Sequence, residues 1–301
     1  MSDTPLEAAL RRDRAVVTAS LVVIAAIAWA YILWLAAGMA MPAAPPAGGD
    51  MAGMDMSGMN MSGTGKSGSG TIDMDMSGMG MGSAGAAVAP GFRPWAVVDF
   101  AFIFTMWAVM MVGMMTPSVA PMLLLYAGVG RRAQESGRPI ASTGWFFGGY
   151  LLVWMAFSIG ATGAQWLLTS LAVLSPAMAS QSAAFGGFVL VLAGLYQWTP
   201  MKDVCLSQCQ APIAFLSSHG GFRTAPFGAL RLGIEHGVYC LGCCWALMAV
   251  LFVGGVMNVL WIAAIAILVL LEKIVPAGRL IPRLSGSLMV AAGCWLLVRG
   301  F

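Results

Sequence analysis

The sequence predicts an all-α, polytopic membrane helix bundle of about seven transmembrane helices. Of its 301 residues, 59% are hydrophobic and only 9% charged, where soluble domains carry about a quarter charged residues. Apolar stretches alternate with short polar connections, and the positive charges collect on every second connection.

The apolar stretches are 15–37, 96–126, 143–170, 184–199, 234–253, 256–271 and 284–298. A span needs roughly twenty apolar residues, and fewer suffice where the bilayer adapts. The fourth, sixth and seventh are short. The first is longer than a signal-peptide core and reads as an uncleaved anchor, with cleavage near Ala40 as the alternative. Three regions follow: an anchor at 1–38, a loop at 39–94 and a six-helix membrane domain at 95–301. Twelve of the fifteen Lys and Arg residues lie before the first stretch or on the second-to-third, fourth-to-fifth and sixth-to-seventh connections; Lys66, Arg93 and Arg299 lie on the other side. This bias places the N-terminus inside, with the loop 39–94 and the C-terminus outside. The basic residues form no basic face, so no nucleic-acid partner is expected.

The outer loop has the Gly, Ser, Ala and Pro content of a flexible segment. It spells one octet twice, "MDMSGMNM" at Met54–Met61 and "MDMSGMGM" at Met74–Met81. Met51, Met54, Met56, Met59, Met61, Met74, Met76, Met79 and Met81 are candidate metal ligands. Thioether sulfur is soft and selects Cu(I). It needs no deprotonation and forms no disulfide outside the cytoplasm. Similar Met-dense outer segments occur in eukaryotic copper importers and bacterial copper-resistance proteins, as functional analogy. The alternative is a low-complexity linker.

The second stretch contains "MWAVMMVGMMTPSVAPM". Met106, Met110 and Met114 repeat every four residues and share a helix face, with Met111 and Met115 beside them. They are candidate steps for Cu(I), or ordinary packing. Pro117 and Pro121 predict a kink, with Thr116 and Ser118 satisfying freed carbonyls.

All six cysteines lie in the second half. "TPMKDVCLSQCQAP" sets Cys205 and Cys209 one helical turn apart, between Pro200 and Pro212, and predicts a short amphipathic or re-entrant helix at the cytoplasmic side. "EHGVYCLGCCWALM" puts His236, Cys240, Cys243 and Cys244 on one face of the fifth span. These thiols and the imidazole suit Cu(I) or zinc, and silver shares the soft-ligand preference. Cys-x-x-Cys also allows thiol–disulfide chemistry. Lys202 and Asp203 either neutralise such a site or anchor the interface. Cys294 reads as a small packing residue and His219 as a solvated loop residue.

The motifs "MWAVMMVGMMTPSVAPM", "TPMKDVCLSQCQAP" and "GVYCLGCCWALM" together resemble the bacterial family of predicted metal-binding integral membrane proteins, a domain of unknown function, over about residues 95–300. The resemblance implies a metal-binding protein of the bacterial cytoplasmic membrane. It adds no mechanism.

The ligands strengthen from thioethers outside to thiols inside. No P-loop and no pump phosphorylation motif is present. The expected function is a non-enzymatic Cu(I)-binding membrane protein for copper uptake or delivery. An accessory subunit of a membrane copper enzyme is one alternative; "GGFVLVLAG" at Gly186–Gly194 offers it a lateral helix contact. A membrane thiol–disulfide oxidoreductase is another. Expected partners are the lipid bilayer, the metal ion, a copper chaperone or copper enzyme, and further copies of the chain.

Overall fold

A computed structural model describes residues 5–40, 95–137, 141–171, 182–275 and 279–299. The loop at 41–94, with both methionine octets, lies outside the described residues. The described residues form helices and contain no strand.

The helices are α1 (Pro5–Ala40), α2 (Val97–Glu135), α3 (Thr143–Ser170), α4 (Ala183–Tyr196), α5 (Pro200–Gln210), α6 (Pro212–Ser218), α7 (Pro226–Ala249), α8 (Leu251–Gly254), α9 (Val259–Ile274) and α10 (Leu280–Arg299). Every expected apolar stretch is helical. Five of them are long and apolar enough to cross a membrane: Ala15–Gly38, Val97–Glu135, Thr143–Ser170, Pro226–Gly254 and Leu280–Arg299. A sixth arises if α4 and α5, bent by 66° at their junction, count as one broken span. The sixth expected stretch forms α9, which has 16 residues, or about 24 Å of helix against roughly 30 Å of hydrocarbon. Five or six spans thus have the length and composition to cross a membrane among the described residues, and α9, short as expected, is the helix left out.

The closest helix pairs are α3 with α7 and α4 with α10, and small residues set both. A Cβ on Gly149 would collide with the Leu230 carbonyl oxygen, and one on Gly233 with that of Phe146. On α4 and α10, Gly187 faces Gly293 and Gly194 faces Gly286, each at backbone contact. Helices in lipid gain from packing rather than from apolar burial, and glycine lets their backbones meet. The "GGFVLVLAG" stripe, expected to offer a partner a lateral surface, turns Gly187 and Gly194 inward onto α10.

Helix α2 continues through Pro117 and Pro121. Thr116 Oγ1 donates to the Val112 carbonyl at 2.6 Å and Ser118 Oγ to that of Met115 at 2.8 Å. Neither is a carbonyl the prolines release, which are those of Gly113 and Pro117. The two hydroxyls therefore do not have the expected role.

The charges need one correction. Lys202 and Lys273, counted as inner-side surface charges, are 0% and 6% exposed. The other ten still oppose three, so the bias persists without them.

Candidate metal centre

The fifth expected span delivers the face its spacing implies. His236, Cys240, Cys243 and Cys244 on α7 are 3%, 2%, 1% and 1% exposed. Cys243 and Cys244 both donate their thiols to the Cys240 carbonyl, at 3.0 Å each. Successive polar residues one turn apart thus converge on a single backbone oxygen.

Helix α5 brings the second pair. Pro200 occupies its first turn, and the Thr199 side chain caps it by accepting from the Lys202 amide. The Cys209 thiol is a near neighbour of Cys240 and Cys243. Cys205 Sγ seats against Gly242, where a Cβ would come within 2.7 Å of it. Both α5 thiols face α7, as their spacing predicts. Cys209, Cys240, Cys243 and Cys244 form one cluster, and Cys205 sits at its edge. All six cysteines are free, and Cys294 is exposed on α10 rather than packed.

Three further groups close the cluster, and the sequence reading gave none of them this role. Lys273, in the last turn of α9, donates from Nζ to Cys240 Sγ at 2.8 Å and to Ser118 Oγ at 3.2 Å. The Tyr150 hydroxyl on α3 lies 3.1 Å from Cys240 Sγ and donates to the Met115 carbonyl at 3.3 Å. The run "LLEK" at 270–273 carried the signal for Lys273, since ionisable residues in membrane helices mark functional sites. Tyr150 had no signal beyond its aromatic character.

The methionines of α2 point inward. Met106, Met110, Met111, Met114 and Met115 are at most 2% exposed. Met115 Sδ lies 4.0 Å from Ser118 Oγ, the same hydroxyl that Lys273 reaches. The lower end of the methionine column therefore meets the thiol cluster through Ser118 and Tyr150. Met248 is fully buried one turn beyond Cys244; the sequence reading passed over it.

A buried network holds α5 in place. Lys202 Nζ pairs with Glu272 Oε2 at 2.7 Å and also donates to Gln197 Oε1. Gln197 Nε2 donates to Glu272 Oε1 at 3.1 Å and to Ser285 Oγ at 3.0 Å. Lys202 is therefore an internal tie between α5 and α9, not an interfacial anchor. Asp203 pairs with the exposed Arg279 at 2.9 Å.

His236 lies between the rings of Phe146, Tyr150 and Phe215, with centroid distances of 5.8, 6.1 and 4.9 Å. Its Nδ1 is buried without a hydrogen-bond partner, which native structures rarely allow. His219, expected to be solvated, stacks on Phe215 at 4.3 Å and bonds the Phe215 carbonyl through Nδ1 at 2.8 Å.

Among the described residues, no three His, Cys, Asp or Glu side chains stand ready to hold one metal ion together. The hydrogen bonds account for this. The Cys243 and Cys244 thiols are turned onto a carbonyl, and an ammonium leans on Cys240. Rotation of these side chains would free soft donors suited to Cu(I).

Comparison with known proteins adds one positive finding. The sequence model of the family PpoB2, described as a copper chaperone, matches residues 104–296. No curated protein and no solved structure matches the chain.

Proposed function

The chain belongs to the PpoB2 copper chaperone family, and on that premise we propose that it delivers Cu(I) within a membrane, from an outer methionine loop to an inner thiol site. Copper association follows from the family, which points to a non-catalytic role. The route is our reading. Met51, Met54, Met56, Met59, Met61, Met74, Met76, Met79 and Met81 capture the ion outside the bacterial cytoplasmic membrane. Met106, Met110, Met111, Met114 and Met115 pass it inward. Cys209, Cys240, Cys243 and Cys244 receive it, with His236 supplying Nδ1 and Cys205 at the edge. The cargo is then handed to a copper protein.

One observation carries the proposal. Met115 and Cys240, 125 residues apart in the sequence, come together twice: the Tyr150 hydroxyl reaches the Met115 carbonyl and Cys240 Sγ, and Met115 Sδ lies 4.0 Å from Ser118 Oγ, which shares Lys273 Nζ with Cys240 Sγ. Thioethers bind Cu(I) through neutral, soft sulfur, and thiolates bind it more tightly. Transfer between adjacent sites therefore runs downhill without nucleotide hydrolysis. The seven-helix topology, with the N-terminus inside and the octets outside, is part of this proposal.

Stopped-flow loading of the purified protein with Cu(I) under anaerobic conditions tests the route. Met110→Leu/Met114→Leu/Met115→Leu keeps the volume of the column and removes its sulfur. Slower arrival of copper at the thiols, with unchanged final occupancy, supports relay through α2. Loading as fast as in wild type contradicts it.

A further inference from the structure

We propose that Lys273 is a tethered cation that competes with the metal for Cys240, leaves when Cu(I) enters, and thereby favours a monovalent over a divalent ion. The proposal rests on the copper reading above and adds to it what selects the charge of the ion and lets the site release its cargo.

The position of Nζ is the first argument. It lies 2.8 Å from Cys240 Sγ and 3.2 Å from Ser118 Oγ, with the residue 6% exposed. An ammonium has three donors and no lone pair, so the sulfur accepts. The other buried lysine already has its carboxylate: Lys202 pairs with Glu272. Lys273 is adjacent to Glu272 in the chain but turns to the sulfur instead. A buried ammonium needs a counter-charge or hydrogen-bond acceptors, and Cys240 Sγ and Ser118 Oγ are the acceptors at Nζ.

The ammonium also has a second place to rest. Lys273 occupies the last turn of α9, one residue before its end. A lysine stem there can snorkel and carry its charge to the membrane surface. The carbonyls at the helix C-terminus favour a cation in that outward position. One side chain thus has two resting places, inside on Cys240 and outside at the interface.

Charge decides the rest. The Lys273 ammonium on Cys240 Sγ brings one positive charge to the thiol site. Exchange of the ammonium for Cu(I) replaces one positive charge by another, whatever protons the thiols lose to either metal. Exchange for Zn(II) leaves an additional positive charge in a buried place, which is costly in a low-dielectric interior. When copper leaves, the ammonium returns to the sulfur, so release is easier.

The test compares wild type with Lys273→Met, Lys273→Gln and Lys273→Arg as full-length protein in lipid nanodiscs. Cu(I) is titrated anaerobically against a chromophoric Cu(I) chelator, and Zn(II) against a zinc-responsive dye. The signal lost in a Cys209/Cys240/Cys243/Cys244→Ser variant defines the thiol site. Removal of the competing cation in the Met and Gln variants should tighten Cu(I) binding about tenfold, slow its release to the chelator and admit Zn(II). Lys273→Arg should keep the wild-type preference for Cu(I). Wild-type binding of Cu(I) together with unchanged or weaker binding, and no gain of Zn(II), in correctly folded Met and Gln variants overturns this proposal alone. Absence of Cu(I) from the wild-type thiols overturns the copper reading and this proposal with it.

Discussion

Lys202 of α5 and Glu272 of α9 form an ion pair of 2.7 Å with both side chains at most 1% exposed. The pair fixes the helix that carries Cys205 and Cys209 against the rest of the bundle. Loss of one partner strands a buried charge, which typically costs about 3–5 kcal/mol. Lys202→Met and Glu272→Leu should each lower the thermal midpoint in detergent sharply. The double replacement should recover much of the loss, because no charge is left unpaired. A double variant as unstable as either single one would contradict the pairing.

His236 offers a cleaner separation of ligand from structure. Its Nδ1 has no partner to lose, and its ring packs among aromatic residues. His236→Phe should leave the thermal midpoint unchanged or raised, since an unsatisfied buried polar atom is removed. Copper affinity should nevertheless fall, by about tenfold in competition with a Cu(I) chelator. A fall in stability with unchanged copper binding would reverse the assignment.

Helix association gives a third expectation. Gly149→Ala places a methyl group into the Leu230 carbonyl, whereas the site of Gly160 on the same helix is open. Overpacking of this kind costs about 1–3 kcal/mol or more, and a helical Gly→Ala change in open space stabilises by up to about 1 kcal/mol. Thermal shift followed by size-exclusion chromatography should separate the two variants in opposite directions.

The two proposed sites should also differ in their response to acid. Thiol ligands must lose a proton to bind metal, and thioethers need not. Copper retained by the thiols should decline as pH falls, while copper retained by the outer loop should not. Metal analysis after dialysis at neutral and acidic pH, on a variant lacking residues 50–82 and on the cysteine-to-serine variant, reads the two contributions separately. Parallel decline in both variants would argue against distinct ligand types.

The helical class, the positions of the apolar stretches and the α7 face were legible because each rests on local periodicity. His236, Cys240, Cys243 and Cys244 needed only a spacing of 3.6 residues to be grouped. The pairing of α5 with α7 was legible only as a shared cytoplasmic side. Their contact depends on Gly242 leaving room for Cys205, which no spacing rule reports. Lys273 and Lys202 were misread because a charge at the end of an apolar run serves topology and buried pairing equally well. The carboxylate that decides for Lys202 lies 70 residues away. Tyr150 and Ser118 carry ordinary roles in sequence and acquire their significance only where α2, α3, α7 and α9 converge.

The central claim is that copper is held at separate outer and inner sites. Metal content by mass spectrometry tests it most directly, on full-length protein loaded anaerobically with Cu(I). Wild type is compared with the deletion of 50–82 and with Cys209/Cys240/Cys243/Cys244→Ser. The account predicts that each variant loses a distinct part of the bound copper and that the losses add. Wild-type protein that retains no copper would contradict it and would move thiol–disulfide chemistry to the front.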